Sequence, residues 1–486
     1  MVGSLTRASV LGTAWFLFQN ASGRATALVS QIILAGLLQP SDFGVVALAT
    51  SITTLIGTFV AFGIEDVLLS RRRKIRFWVT PALWLSLALA VLGTLVMLAA
   101  APLGAKIYGN PEVGRLVVVL ACSTPFTAAS IVPGVVLQAA LKFRFLAVYA
   151  TAELVSIQLL TVLLAFAGFG AYSFVIPIPI AAAIKAIVFW RAANMRLRWR
   201  IHPALWKYLL SSGFVVFGQR LSTEARNNAD RIVLGLLQNS TVVGLYFFAL
   251  KLAAVPAYTL IASLYRVLLS TFAHLRPDPE RQLEAALSAS RVVAIVVLPL
   301  SCLQAALAKP LLHLLFGDRW MGSVVPMQIL SIALALDLMP CVVGALASAN
   351  GRFRFQLAWT ALSLPAFVLA VAAGGMLGSA DGVAWGVAIF FLVFAPAYSY
   401  YVLRPFGRSF STIFEIYRLP LVCSLVTIGP TALLLRLSYF DANDLMAIIV
   451  ITLWSCMTYP LLIYLVNPAV VAEMRTRVAG SFFVRR

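Results

Sequence analysis

The chain has 486 residues, of which 62% are hydrophobic and 11% charged, against about half and about a quarter in an ordinary soluble domain. That balance excludes a soluble globular protein, and the lack of short alternating apolar segments excludes a transmembrane β-barrel. A formal charge of +20 does not make the chain a nucleic-acid binder, because its bases mark the ends of apolar runs and do not cluster in a soluble domain.

Apolar stretches long enough to cross a bilayer core recur throughout, so the pattern predicts an all-α polytopic membrane protein with about fourteen spans. In chain order they fall near residues 10–38, 42–69, 78–101, 113–141, 146–167, 171–192, 208–237, 242–272, 287–308, 323–349, 355–377, 382–403, 414–437 and 445–466. The first stretch is too long for a secretory signal and carries Gln19, Asn20, Arg24 and Gln31, so it is expected to remain as a helix. The joints carry turn chemistry, as at Pro40-Ser41-Asp42, Gly168-Phe169-Gly170 and Gly378-Ser379-Ala380-Asp381.

Alternate joints concentrate the positive charge. One set holds Arg71 to Lys74, Lys142 and Arg144, Arg191 to Lys207, Arg352 and Arg354, and the run Arg475 to Arg486. The other holds Lys106, Arg115, Lys309, Arg319 and, at its margin, Arg436. The positive-inside rule therefore places both termini in the cytoplasm. On that side lie two basic-aromatic stops, "KFRF" at 142–145 and "RFRF" at 352–355. Their bases can snorkel to the interface, or Lys142, Arg144, Arg352 and Arg354 can form a cytoplasmic gate. Cys122, Cys302, Cys341, Cys423 and Cys456 lie in apolar runs without metal-ligand spacing. His202, His274 and His313 are scattered, so neither a metal site nor a cofactor is expected.

The two stops belong to an internal duplication. "GLLQPS" at 36–41 returns as "GLLQNS" at 235–240, "DVLLS" at 66–70 as "RVLLS" at 266–270, and "YGN" at 108–110 as "FGD" at 316–318. All recur in the same order at an offset of about 200. The expected organisation is a six-helix lobe over 1–200, a second over 201–410, and two extra helices with a basic tail over 411–486. An even number of spans per repeat makes the repeats parallel, a design that places a substrate path between them.

Charges inside spans are costly, at about 2.5–3.5 kcal/mol each near a helix centre. Span seven carries Arg220, Glu224, Arg226, Asp230 and Arg231, so it is expected to face protein or water. Part of that charge can cancel through Arg220–Glu224 and Arg226–Asp230 pairs at i,i+4. Asn20, Arg24 and Gln31 repeat the spacing of Arg220, Glu224 and Arg231 at the same offset. With Lys251 of span eight, these residues are the candidate lining of a substrate cavity. Glu224, Asp230 and Asp337 are candidates for cation coupling; Asp337, inside span ten, either carries a proton or bonds a neighbouring backbone or hydroxyl group. Lys185 is expected to snorkel to the cytoplasmic end of span six, and Glu65 and Asp66 to face the Arg71–Lys74 cluster.

Three segments carry a family resemblance: "GTAWFLFQNASGRATALVSQIILAGLLQPSDFGVVALATSITTLI" (12–56), "NNADRIVLGLLQNSTVVGLYFFALKLAAVP" (227–256) and "LAKPLLHLLFGDRWMGSVVPMQIL" (307–330). The chain resembles bacterial polysaccharide transporters of the multidrug/oligosaccharidyl-lipid/polysaccharide exporter superfamily, most of all colanic-acid and exopolysaccharide exporters. The resemblance implies a flippase of the bacterial inner membrane that moves undecaprenyl-diphosphate-linked oligosaccharide units to the periplasmic leaflet. It implies alternating access of two lobes around a cationic cavity, contact with membrane lipid, and hand-over to polysaccharide polymerase or glycosyltransferase machinery. A cation-coupled multidrug exporter of the same superfamily is the alternative, although the surplus base suits an anion better. A membrane enzyme is the third reading, and the chain lacks a nucleophile-base constellation or a phosphate-cradling glycine loop to support it.

Overall fold

The computed structural model describes Gly23 and residues 26–71, 75–195, 203–434 and 443–468, which are helical and contain no strand. Among the described residues, twelve helical segments are long and apolar enough to cross a membrane. Each coincides with a span expected from the sequence. The remaining two expected spans are also helices where described. The helix α1, Thr26–Leu37, is the described part of the first span. The helix α10, Pro203–Leu237, is 35 residues long and carries the charges noted above.

The chain divides into two compact units, residues 1–244 and 245–486. In the first are α2 (Pro40–Ala61), α3 (Ile64–Ser70), α4 (Ile75–Ile107), α5 (Pro111–Ala121), α6 (Thr124–Ala139), α7 (Phe143–Phe166), α8 (Tyr172–Val175), α9 (Pro177–Ala192) and α10. The helix α10 opens the second sequence repeat, yet it packs along α2, α3 and α4. Repetition and packing thus divide the chain at different places.

Local chemistry sets the helix ends. Pro40 starts α2, and the Gln39 amide donates to Asp42 Oδ2 at 2.9 Å in a capping box. Asn110 caps α5 by accepting from the Glu112 amide at 2.9 Å, with Pro111 in the first turn. The expected span 42–69 is not one helix: it breaks at Phe62 and Gly63, both left-handed at φ 36° and 67°. The break lets α10 approach, because a Cβ on Gly213 would stand 2.7 Å from the Phe62 carbonyl oxygen. Phe217 stacks on Phe62 with centroids 4.4 Å apart. Below the break Ile64, Leu68, Leu83, Val132, Val135 and Leu209 form one buried cluster.

The second unit holds most of α11 (Ser240–His274), then α12 (Pro279–Phe316), α13 (Val324–Leu336), α14 (Leu338–Ala349), α15 (Phe353–Met376), α16 (Ala380–Leu403), α17 (Phe410–Leu434) and α18 (Asp444–Val466). Trp320 is fully buried against Phe248, centroids 3.9 Å apart. The helices α17 and α18, outside the duplication, pack on α12 and on each other.

A backbone rule stitches both units. A proline inside a helix has no N–H for the carbonyl four residues earlier, and in lipid that carbonyl needs another donor. Trp190 Nε1 donates at 2.8 Å to Ala129 O, freed by Pro133. The Gln304 side-chain amide donates at 2.8 Å to Leu252 O, freed by Pro256. The Tyr459 hydroxyl donates at 2.8 Å to Ile295 O, freed by Pro299. The Tyr417 hydroxyl donates at 3.0 Å to Leu336 O, which Pro340 leaves open at the joint of α13 and α14. The last two bonds dock α17 and α18. Tyr459→Phe should therefore cost about 1–3 kcal/mol, the penalty of a buried carbonyl without a donor. Thermal unfolding of the purified protein checks this against Tyr464→Phe on the exposed side of α18, which should change nothing.

The two basic-aromatic stops have the same local structure. Leu141 and Gly351 are left-handed, at φ 57° and 71°. The Lys142 and Arg352 amides reach back to Leu137 O at 3.1 Å and Ala347 O at 3.0 Å, the bond pattern of a Schellman end. Lys142 Nζ then donates to Ala192 O at 3.2 Å, at the C-terminus of α9. Arg352 Nη1 donates to Val402 O at 3.2 Å, near the C-terminus of α16. Each cation thus meets the negative end of a helix dipole within its own unit.

Candidate functional site

The polar face of α10 carries Arg220, Glu224, Arg226, Asp230 and Arg231. Arg220 is at the middle of the helix, about 25 Å from either end at 1.5 Å per residue. Ser222 and Thr223 turn their hydroxyls back onto Gly218 O and Gln219 O, both at 2.8 Å. Asn228 does the same with its amide to Glu224 O at 2.8 Å. These back-bonds satisfy the helix's own small polar groups and leave the long charged side chains to find partners elsewhere.

Those partners are not the ones that i,i+4 spacing suggests. Arg220 Nη2 lies 2.8 Å from Asp66 Oδ2, on α3, and the two side chains are 42% and 41% exposed. Asp230, 6% exposed, accepts the Arg231 amide at 2.8 Å and lies 3.6 Å from Arg231 Nε. Arg231 also donates to Asn227 O. Glu224 and Arg226 are half-buried, and the structure shows no ion pair for either among the described residues. The site therefore has a closed end, at Asp230 and Arg231, and a middle where Arg220 meets Asp66 while Glu224 and Arg226 stand without an ion pair among the described residues.

The short helix α3 holds the other side of Arg220. Glu65 Oε1 accepts from Gln138 Nε2 of α6 at 3.0 Å, and Arg71 bonds the Tyr208 hydroxyl with its guanidinium 5.4 Å from that ring's centroid. Glu65 and Asp66 thus meet α6 and α10, while Arg72 to Lys74 of the expected cluster lie outside the described residues. The left-handed break at Phe62 and Gly63 turns α3 so that its two acids diverge toward different neighbours.

The other sequence-predicted residues fall in several places. Gln31 is on α1, its amide nitrogen buried without a hydrogen-bond partner among the described residues. Asn20 and Arg24 lie outside the described residues, as do the side chain of Arg266 and residues 72–74. In the second unit Lys251 is exposed on α11, 4.5 Å from the Phe247 ring centroid. Asp337 sits at the joint of α13 and α14. Of the four gate candidates, Lys142 and Arg352 make the helix-end bonds described above, whereas Arg144 and Arg354 are exposed. No group of three or more metal-ligating side chains occurs among the described residues.

One pair went unread in the sequence. Lys185 has an acid for a partner: its ammonium lies 3.0 and 3.3 Å from the two carboxylate oxygens of Glu153 on α7. The signal was present, since an acid and a base stand in the middle of two consecutive apolar spans.

Comparison with known proteins agrees with this architecture. The polysaccharide biosynthesis protein family model matches residues 33–325. The succinoglycan biosynthesis transport protein ExoT of Rhizobium meliloti (strain 1021) is 23% identical over 467 residues, covering 95% of this chain and 93% of that protein. The lipopolysaccharide biosynthesis protein WzxC of Escherichia coli (strain K12) is 23% identical over 441 residues, covering 86% and 89%. Among solved structures, the lipid II flippase MurJ in an inward closed conformation superposes with a TM-score of 0.77 at 12% identity, covering 95% of this chain and all of that one. An inward-facing multidrug resistance MATE family transporter gives 0.60 at 17% identity, over 82% and 94%. At such identities the structural likenesses speak for the fold. Twelve segments long and apolar enough to cross a membrane and a family model that spans more than half of the sequence converge on one assignment. This chain belongs to the polysaccharide biosynthesis protein family and is a multi-pass bacterial membrane transporter of that family, not an enzyme.

Proposed function

We propose that this transporter moves undecaprenyl-diphosphate-linked oligosaccharide units from the cytoplasmic to the periplasmic leaflet of the inner membrane, by alternating access, for assembly into polysaccharide. The observation that carries this reading is the middle of α10, where Arg220 and Arg226 stand half-buried within a membrane helix. A planar guanidinium can donate two parallel bonds to a phosphate, and does so most strongly away from bulk water. A diphosphate presents that acceptor geometry; the cationic drugs handled by multidrug exporters do not. Arg220 is tied to Asp66 by one contact between side chains that are each about two-fifths exposed, so an entering anion can compete for the guanidinium. The names of the relatives, transport and biosynthesis proteins for succinoglycan and lipopolysaccharide, support the same class of cargo. If a cation drives the cycle, Glu224 is the acid we assign to it ahead of Asp230, which is committed to Arg231.

Deleting the gene in its own host should remove surface polysaccharide and leave lipid-linked units stalled in the inner leaflet. Extraction of the lipid-linked pool and quantification of surface polymer on the same cells test this. Normal polymer with raised sensitivity to cationic drugs would overturn the proposal in favour of a multidrug exporter.

A further inference from the structure

The Glu153–Lys185 pair is placed where a structural cross-link is expensive. Glu153 is ten residues from the start of α7, about 15 Å, and thirteen from its end. Lys185 is about 10 Å from the C-terminus of α9. Both charges thus stand well inside spans whose only other charged residues, Arg144 in α7 and Arg191 in α9, lie near a helix end. A charge at such depth is tolerated mainly where it pairs or faces a polar passage. The pair also remains accessible: Lys185 is 34% exposed and Glu153 17%. The span that bears Glu153 is the least buried of the twelve.

The first span packs on α7 next to the pair: a Cβ on Gly23 would meet Leu154 Cδ1 at 3.2 Å. All of these groups belong to the first unit. The ammonium is cradled by two carboxylate oxygens and lies 5.7 Å from the Phe189 ring centroid. A phosphate group, though tetrahedral where a carboxylate is planar, can likewise set two oxygens of one anion around one ammonium.

We infer that Lys185 is a further anion contact of this transporter, and that Glu153 covers it as an internal stand-in for phosphate until a diphosphate group displaces the carboxylate. This rests on the proposed function for the identity of the cargo, but the lysine contact needs only diphosphate chemistry. An isosteric Glu153→Gln removes the competing charge and keeps the shape. It should tighten diphosphate binding roughly tenfold, equivalent to about 1.4 kcal/mol, whereas Lys185→Gln should weaken it by a similar factor and Lys185→Arg should retain it.

The test uses the full-length protein in nanodiscs, with undecaprenyl diphosphate and inorganic diphosphate as separate titrants and a thermal midpoint measured for every variant. Tighter binding of either titrant by Glu153→Gln, lost again in Glu153→Gln/Lys185→Gln, is the expected result. If only inorganic diphosphate binds, the lysine site stands and the lipid-linked cargo falls. If the wild type binds undecaprenyl diphosphate and neither single variant alters affinity, the lysine assignment is overturned while the proposed function stands. If neither titrant binds the wild type or Glu153→Gln, both are overturned. Should Glu153→Gln fold poorly, Lys185→Arg and Lys185→Gln decide alone: equal affinity in these two overturns the inference.

Discussion

Arg220→Glu stops polysaccharide export while the protein still reaches the membrane. The substitution sets two carboxylates against each other where Arg220 Nη2 and Asp66 Oδ2 are now 2.8 Å apart, and it removes the guanidinium from the middle of α10. Two charge-assisted hydrogen bonds from an arginine to a phosphate are worth about 1.5–3 kcal/mol each, so export should fall by at least tenfold. The single variant does not separate a ligand contact from a structural tie, but the exchanged pair Arg220→Asp/Asp66→Arg does. It restores opposite charges across the same gap and should recover the wild-type thermal midpoint. If Arg220 contacts the cargo, export remains lost, because the guanidinium has moved to α3 and points from the other side. Recovery of export together with stability would reduce Arg220 to a tie between two helices.

Gly44→Ala and Gly244→Ala should each prevent accumulation of folded protein. A Cβ on Gly44 would stand 1.7 Å from the Ser240 carbonyl oxygen, and one on Gly244 would stand 1.7 Å from the Pro40 carbonyl oxygen. Both contacts lie within the first unit, which includes the first turn of α11, Ser240–Gly244. Non-bonded carbon and oxygen need about 3 Å, and neither obstacle is a side chain that can rotate away. One helix must shift bodily, and overpacking of that kind costs upward of about 3 kcal/mol. Gly36→Ala and Gly57→Ala are the matched controls, since a Cβ at either meets nothing within 4 Å and alanine favours a helix by about 1 kcal/mol. Fluorescence-detected size exclusion and thermal midpoints check the set; a Gly44→Ala protein with wild-type yield and midpoint would contradict the packing.

The contact lies just after the repeated motif in each copy: Pro40 and Gly44 follow Gln39, and Ser240 and Gly244 follow Gln238. Duplication could be read from "GLLQPS" and "GLLQNS", but the crossing could not, because a shared motif does not say which backbones touch. The Lys142 and Arg352 stops are similar. Their position at span ends was legible from charge and aromatic content. Their bonds to Ala192 O and Val402 O depend on where the C-termini of α9 and α16 arrive, fifty residues along the chain from each cation.

The sequence by itself determined that this is an all-helical membrane protein, where its twelve longest apolar helices run, and which helices carry charge. Each of these depends on local composition: apolar length against bilayer thickness, and the cost of a charge inside lipid. Only the tertiary structure decided which charges meet. Spacing offered Arg220–Glu224 and Arg226–Asp230, yet Arg220 took Asp66, Arg231 took Asp230, and Lys185 took Glu153. An i,i+4 pair on a helix gains only about 0.2–0.5 kcal/mol. The packing of α3 against α10, and of α7 against α9, brought Asp66 and Glu153 to bases that spacing along a single helix does not reach.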